Sequence, residues 1–95
     1  MKYYKYESKG NSQGLEETIE CYWEIDEADI IVRSIEVLND KTILKYSEQH
    51  EADSMGQLPE GRVTHDDLND SSFGICTRLS KDQFEKHWRK NAENW

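Results

Sequence analysis

The sequence predicts an α+β domain: an antiparallel sheet of about four strands, with a short helix and a C-terminal helix packed on one face. Three observations carry that expectation. The first half of the chain alternates its side chains with the period of two that half-buried strands require. Turn-forming residues separate the alternating runs. The last third twice shows a Ser or Thr followed three residues later by Asp or Gln, the pattern that caps a helix start.

Taken in order, KYYKYE at residues 2 to 7 reads as the first strand, and KGNSQG at residues 9 to 14 as a loop. TIECYWEI then alternates cleanly. Ile19, Cys21, Trp23 and Ile25 form an apolar face, and Glu20, Tyr22, Glu24 and Asp26 form a solvent face. A slip of one residue would bury the carboxylates, so the register is well specified. DEAD makes a turn, and the β-branched run IIVRSIEVL reads as a central strand. Asn39 and Asp40 open a tight turn into KTILKYS, which completes a hairpin. HEADSMGQLPEG, residues 50 to 61, has no period and reads as a loop.

Thr64 is expected to cap a short helix with Asp67, with Val63 stapled onto Leu68. Ser80 and Gln83 are expected to cap a second helix, with Leu79 stapled onto Phe84. That helix is predicted to run to about residue 93, with Phe84, Trp88 and Ala92 on one face. FGICTRL between the helices reads as a short strand or an extended link. Trp23 and Trp88 are expected in the core, and Trp95 docked.

Ninety-five residues make a single domain, 1–95, with one modest core, because only 35% of the residues are apolar. The net charge of −8 is concentrated: residues 16 to 70 hold sixteen acids against Arg33, Lys41, Lys45 and Arg62. Such a field opposes direct contact with a phosphate backbone, which needs Lys and Arg to displace counterions. It favours encounter with a basic protein. Residues 16 to 29, EETIECYWEIDEAD, carry seven carboxylates and no Lys or Arg. Glu20, Tyr22, Glu24, Asp26, Glu27 and Asp29, with Asp66 and Asp67 from the first helix, are therefore the expected partner-binding residues, Tyr22 being the aromatic anchor.

Catalytic groupings are missing from the sequence. It has no GxSxG, no P-loop and no glycine-rich dinucleotide turn. His50 with Glu51 and Asp53, or His65 with Asp66 and Asp67, lacks the spacing of a zinc site. The EADSMG stretch lacks the alternating oxygen ligands of a calcium loop. No enzyme activity, metal or cofactor is expected. Cys21 and Cys76 have no CxxC partner, and the opening MKYYKYESKG has no apolar run. Both cysteines are expected reduced in a cytoplasmic protein with no membrane segment.

Leu58-Pro59, the run Thr64 to Asn69, Phe73, the run Leu79 to Glu85 and Trp88 together resemble a family of small bacterial proteins with a domain of unknown function. The family pattern has a Lys-Tyr opening strand, a central Arg-x-x-Glu-Val stretch and an Asp-Gly hairpin. It continues with Leu-Pro, Ser-x-Glu-Glu-Ile-Asn and Ile-Ser-x-Glu-x-Phe-Glu-x-x-Trp. Arg33, Ile35, Glu36, Val37 and Asp40 fall on its central stretch, and Lys41 stands where the pattern has the hairpin glycine. The family is similar to the immunity proteins of polymorphic and contact-dependent toxin systems. The resemblance bears on fold more than on activity, and it carries over no site residue. The concentrated acidity, the aromatic-acidic strand and the missing catalytic groups lead to the expectation of a non-catalytic immunity protein that binds a cognate basic toxin, a nuclease domain being the expected kind. An acidic mimic of nucleic acid, inhibiting a DNA- or RNA-binding protein, is the alternative expectation, with a small regulatory module beside it.

Overall fold

A computed structural model describes residues 1–7, 20–38, 41–54, 56–59, 61–69 and 75–94. Trp95, Phe73 and the loops expected at residues 9 to 14 and at Asn39 and Asp40 lie outside these. The chain is α+β. Strands β1 (Lys2–Glu7), β2 (Glu20–Ile25), β3 (Ile31–Val37) and β4 (Ile43–Ser47) follow one another up and down. Strand β7 (Ile75–Leu79) then returns to lie against β1, giving an antiparallel sheet of order β4-β3-β2-β1-β7. Of the stretch read as a short strand or an extended link, residues 75 to 79 form a strand, the fifth of this sheet. Residues 50 to 61, read as loop, contain a miniature hairpin of β5 (Ala52–Asp53) and β6 (Gly56–Gln57). Gly56 belongs there because a Cβ would stand 2.9 Å from the Tyr46 hydroxyl oxygen.

Both helices start as the cap residues dictate. In α1 (His65–Leu68) the Thr64 hydroxyl accepts from the Asp67 amide at 3.2 Å, and the Asp67 carboxylate accepts from the Thr64 amide at 3.1 Å. In α2 (Lys81–Trp88) Ser80 and Gln83 exchange the same pair at 3.1 and 2.8 Å. Each box satisfies two amides that would otherwise lack partners. Val63 and Leu68 share one buried cluster, and Leu79 packs against the cluster that holds Phe84, an arrangement consistent with the two staples.

The helices do not share a face, as the sequence suggested. α1 contributes Leu68 to a cluster with Trp23, Ile25, Ile31 and Val63, whereas α2 contributes Phe84 to a cluster with Tyr3, Tyr22 and Ile35. Tyr22 and Trp23 are adjacent in one strand and point to opposite faces. The sheet is therefore covered on both sides. A bulge makes this work in β3: Glu24 faces Arg33, but Ile25 faces Ile31, so the extra residue turns Ile31 towards the Trp23 side.

Helix α2 ends at Trp88 rather than near residue 93, with Arg89 as its C-cap. The chain has to leave the helix to reach β4. The Glu93 amide donates to the Ile43 carbonyl at 2.9 Å, and the Asn94 side chain takes both backbone groups of Lys45 at 2.8 Å each. The tail thus pairs with the outer edge of β4, which would otherwise be an open strand edge.

Candidate functional site

The expected solvent face of β2 is a buried one. Tyr22 is 6% exposed and Glu24 8%, because α2 lies across them. Tyr22 stacks on His87 of α2, with ring centroids 4.0 Å apart. Burial raises the Tyr22 hydroxyl's pKa and lowers that of His87, which therefore favours the neutral imidazole.

Glu24 meets Arg33, its register partner on β3. Arg33 Nε and Nη2 donate to Glu24 Oε1 and Oε2 at 2.7 and 2.8 Å, and Nη2 also donates to Glu85 of α2. The guanidinium lies over the rings of Phe84 and Trp88, 4.8 and 4.9 Å from their centroids. Hydrogen bonds from Arg33, then its charge, hold the Glu24 carboxyl below the usual carboxylate range against the opposing effect of burial. Glu24 is a structural anion with its own counterion, unavailable to a partner.

The other expected site residues lie in three places. Asp26 builds the β2–β3 turn: its Oδ1 accepts from the Ala28 and Ile30 amides at 2.8 and 3.0 Å. Asp29 adopts a left-handed φ of 64° there and binds Lys2 Nζ at 2.8 Å. Glu27 is exposed on the same turn. Asp67 is held in the α1 capping box, and Asp66 beside it is exposed. Glu20 is half-exposed and lies 4.0 Å from Lys5 Nζ. Burial takes Tyr22 and Glu24 out of the surface that the eight residues were expected to form.

A feature not anticipated from the sequence lies beside the β2–β3 turn. A groove of about 500 Å³ has Ile30, Val32, Leu58 and Pro59 among its apolar walls and Asp26, Glu48 and Glu51 on its rim, with Arg62 its one cation among the described residues. Ile30 is 43% exposed. Among the described residues Glu48 and Glu51 pair with no Lys or Arg. The groove exists because the turn at Asp26 is bonded to the segment leading into α1: the Val63 amide donates to the Asp29 carbonyl at 2.8 Å, and Ile30 bridges Arg62. The mixture of Glu48 and Glu51 with Leu58-Pro59 was the available signal, but the sequence does not say that the two stretches meet.

The histidines have local partners. His50 Nε2 lies 2.8 Å from Asp53 Oδ2, and Asp53 also accepts from the Tyr46 hydroxyl, the Gly56 amide and Asn94 Nδ2. Burial and the Asp53 hydrogen bond push the Tyr46 hydroxyl up to about 12. This cluster joins β4, the small hairpin and the tail. His65 lies beside Asn69 on the surface. Among the described residues no group of three or more His, Cys, Asp or Glu side chains is placed to hold a metal ion. No described helix is long and apolar enough to cross a membrane.

Cys21 and Cys76 flank Tyr6 from its two neighbouring strands. Two strand spacings put their Cα atoms roughly 9–10 Å apart, beyond disulfide reach. Both are free thiols, and burial pushes Cys21 up to about 12, which keeps it protonated and unreactive.

No family model, curated protein or solved structure matches the chain.

Proposed function

We propose that this chain is a non-catalytic binding protein that neutralises a basic protein partner, in the manner of an immunity protein against a nuclease toxin, and that the acid-rimmed groove is its contact surface. The observation that carries the reading is the arrangement of Asp26, Glu48 and Glu51 around Ile30, Val32, Leu58 and Pro59. Exposed Glu27 stands on the adjoining turn. Apolar area ringed by carboxylates suits a partner that inserts an aromatic or aliphatic anchor and covers it with Lys or Arg. A nuclease needs such cations to hold its own substrate, so their occupation would inhibit it. The long-range field of a chain with net charge −8 speeds that encounter.

This reading moves the contact away from β2. Mimicry of nucleic acid is less well supported, because it needs a row of free carboxylates. Along β2 and its turn, Glu24 and Asp29 bind Arg33 and Lys2, while Asp26 accepts two backbone amides.

The test is copurification with the protein encoded beside this chain's gene, followed by association kinetics. Glu48→Lys with Glu51→Lys should slow association at least tenfold at low salt and weaken protection against the partner. Asp82→Lys, an exposed change on α2 outside the groove, should do far less. Equal effects from both variants, or none from either, would remove the groove from the interface. Failure of the two proteins to copurify would end the inhibitor reading.

A further inference from the structure

The two ends of the sheet are treated differently. The β4 edge is closed by the chain's own tail, through Glu93 and Asn94. The β7 edge has no such cover: among the described residues, no backbone hydrogen bond reaches β7 other than those of its pairing with β1. Of the usual protections of an open edge it carries only the charge of exposed Arg78. Residues 75 to 79, ICTRL, contain no Pro, no Lys and no carboxylate, and Ile75 is 54% exposed.

We propose that β7 is a homodimer interface, pairing antiparallel with β7 of a second copy about a two-fold axis at Thr77. What an open edge can accept is an extended strand, since its unpaired amides and carbonyls repeat at strand spacing. Three features select a second copy. The order Ile-Cys-Thr-Arg-Leu is self-complementary about its middle. Pairing there sets Ile75 against the other copy's Leu79 and Thr77 against its own equivalent, all on one face, with Cys76 against Arg78 on the other. β-Branched and apolar cross-strand pairs of this kind stabilise a ladder. The lack of carboxylates within β7 matters as well. Two chains of net charge −8 repel one another, and they can approach closely only where neither presents acid. A basic partner, by contrast, would meet Arg78 and no counter-charge.

Antiparallel pairing would join two five-stranded sheets into one of ten strands. This interface is independent of the proposed function, because the acid-rimmed groove draws on β3 and the segments after β4, away from the β7 end of the sheet.

Sedimentation equilibrium up to millimolar concentration tests the proposal, with variants at exposed Thr77. The parent chain should form dimers reversibly. Thr77→Lys and Thr77→Glu should each raise the dimer dissociation constant at least tenfold, because each sets like charges directly opposite across the axis. An equimolar mixture of the two should pair again, with opposite charges at the same point. Circular dichroism identical to the parent's would show that both variants are folded. A parent that stays monomeric throughout overturns the proposal, as does a dimer that ignores both charges. Failure of the mixture to pair would overturn the register at Thr77. Pairing of β7 with a strand of a different protein, while the chain alone remains monomeric, would also overturn it.

Discussion

Arg33 and Glu24 stand opposite one another on neighbouring strands and share two hydrogen bonds, at 2.7 and 2.8 Å, beneath the rings of Phe84 and Trp88. Glu85 of α2 takes a third from the same guanidinium. This one arginine therefore ties the two central strands to the C-terminal helix. It also explains how an acidic strand can lie in the middle of the sheet: its most buried carboxylate has a bidentate counterion inside the fold.

Removing the arginine should be costly. Arg33→Met leaves Glu24 and Glu85 facing each other without a cation, and should destabilise the domain by about 3 kcal/mol. Adding Glu24→Leu to that variant should restore a large part of the loss, since an apolar pair of similar size needs no counterion. Urea denaturation of the parent, both single variants and the double variant measures this. If the double variant is no more stable than Arg33→Met, the two side chains are not coupled.

The pH dependence follows from His87 and Glu24 on one face of the sheet and Glu36 on the other. His87 is held below its ordinary 6.5 chiefly by burial, then by the charge of Lys90. As pH falls below 6.5, the unfolded chain takes up a proton that the folded protein refuses, so stability declines. Glu24 has a folded pKa below its ordinary 4.5, so its contribution is complete above 4.5 and is lost as pH drops through the folded value. Glu36 runs the other way. Burial raises its pKa, so the folded protein gains stability as it protonates, which softens the decline just above 4.5. Urea midpoints measured from neutral pH downward should show two steps. His87→Phe, which keeps a ring against Tyr22, should abolish the first step and leave the second.

Lys41 occupies the left-handed region, with φ of 69°, in a turn closed by hydrogen bonds from its own amide to the Leu38 carbonyl and from the Leu38 amide to the Thr42 carbonyl. A side chain with a Cβ is strained there, and glycine is not. Lys41→Gly should therefore raise stability by about 0.5–1 kcal/mol, part of the relief being offset by the greater freedom of glycine in the unfolded chain. Lys41→Ala keeps the Cβ and should gain nothing. Equal thermal midpoints for the glycine and alanine variants would contradict a strained turn.

The strands and helix starts were legible because they are written locally. Alternation around Trp23, the β-branched run after Ile30 and the boxes at Thr64 and Ser80 each need only a few consecutive residues. The face assignment was half legible: the alternation correctly separated Tyr22 and Glu24 from Trp23 and Ile25, but it could not say that α2 would cover the polar set. Burial of a carboxylate depends on a partner nine residues away, and the clue was a lone Arg33 inside an apolar strand. The acid-rimmed groove was illegible for the same reason, since Asp26, Glu48 and Pro59 meet only through tertiary structure.

The end of α2 was misjudged because Asn94 acts on another element. Its side-chain amide reproduces the donor and acceptor of a neighbouring strand, holding the Lys45 amide and carbonyl at 2.8 Å each, and its Nδ2 also reaches Asp53 at 2.9 Å. Continuing the helix through this residue would give up those bonds and open the β4 edge. Asn94→Ala should therefore cost about 1–2 kcal/mol in denaturation and should act locally as well. The Lys45 amide should lose at least tenfold of its hydrogen-exchange protection, while the Ser34 amide, on the interior strand β3, should change only as far as global stability changes. Asn94→Asp should be worse than alanine, because it places a second carboxylate against Asp53. Unaltered protection at Lys45 in either variant would mean that the tail does not guard this edge, and the contrast between the two ends of the sheet would disappear with it.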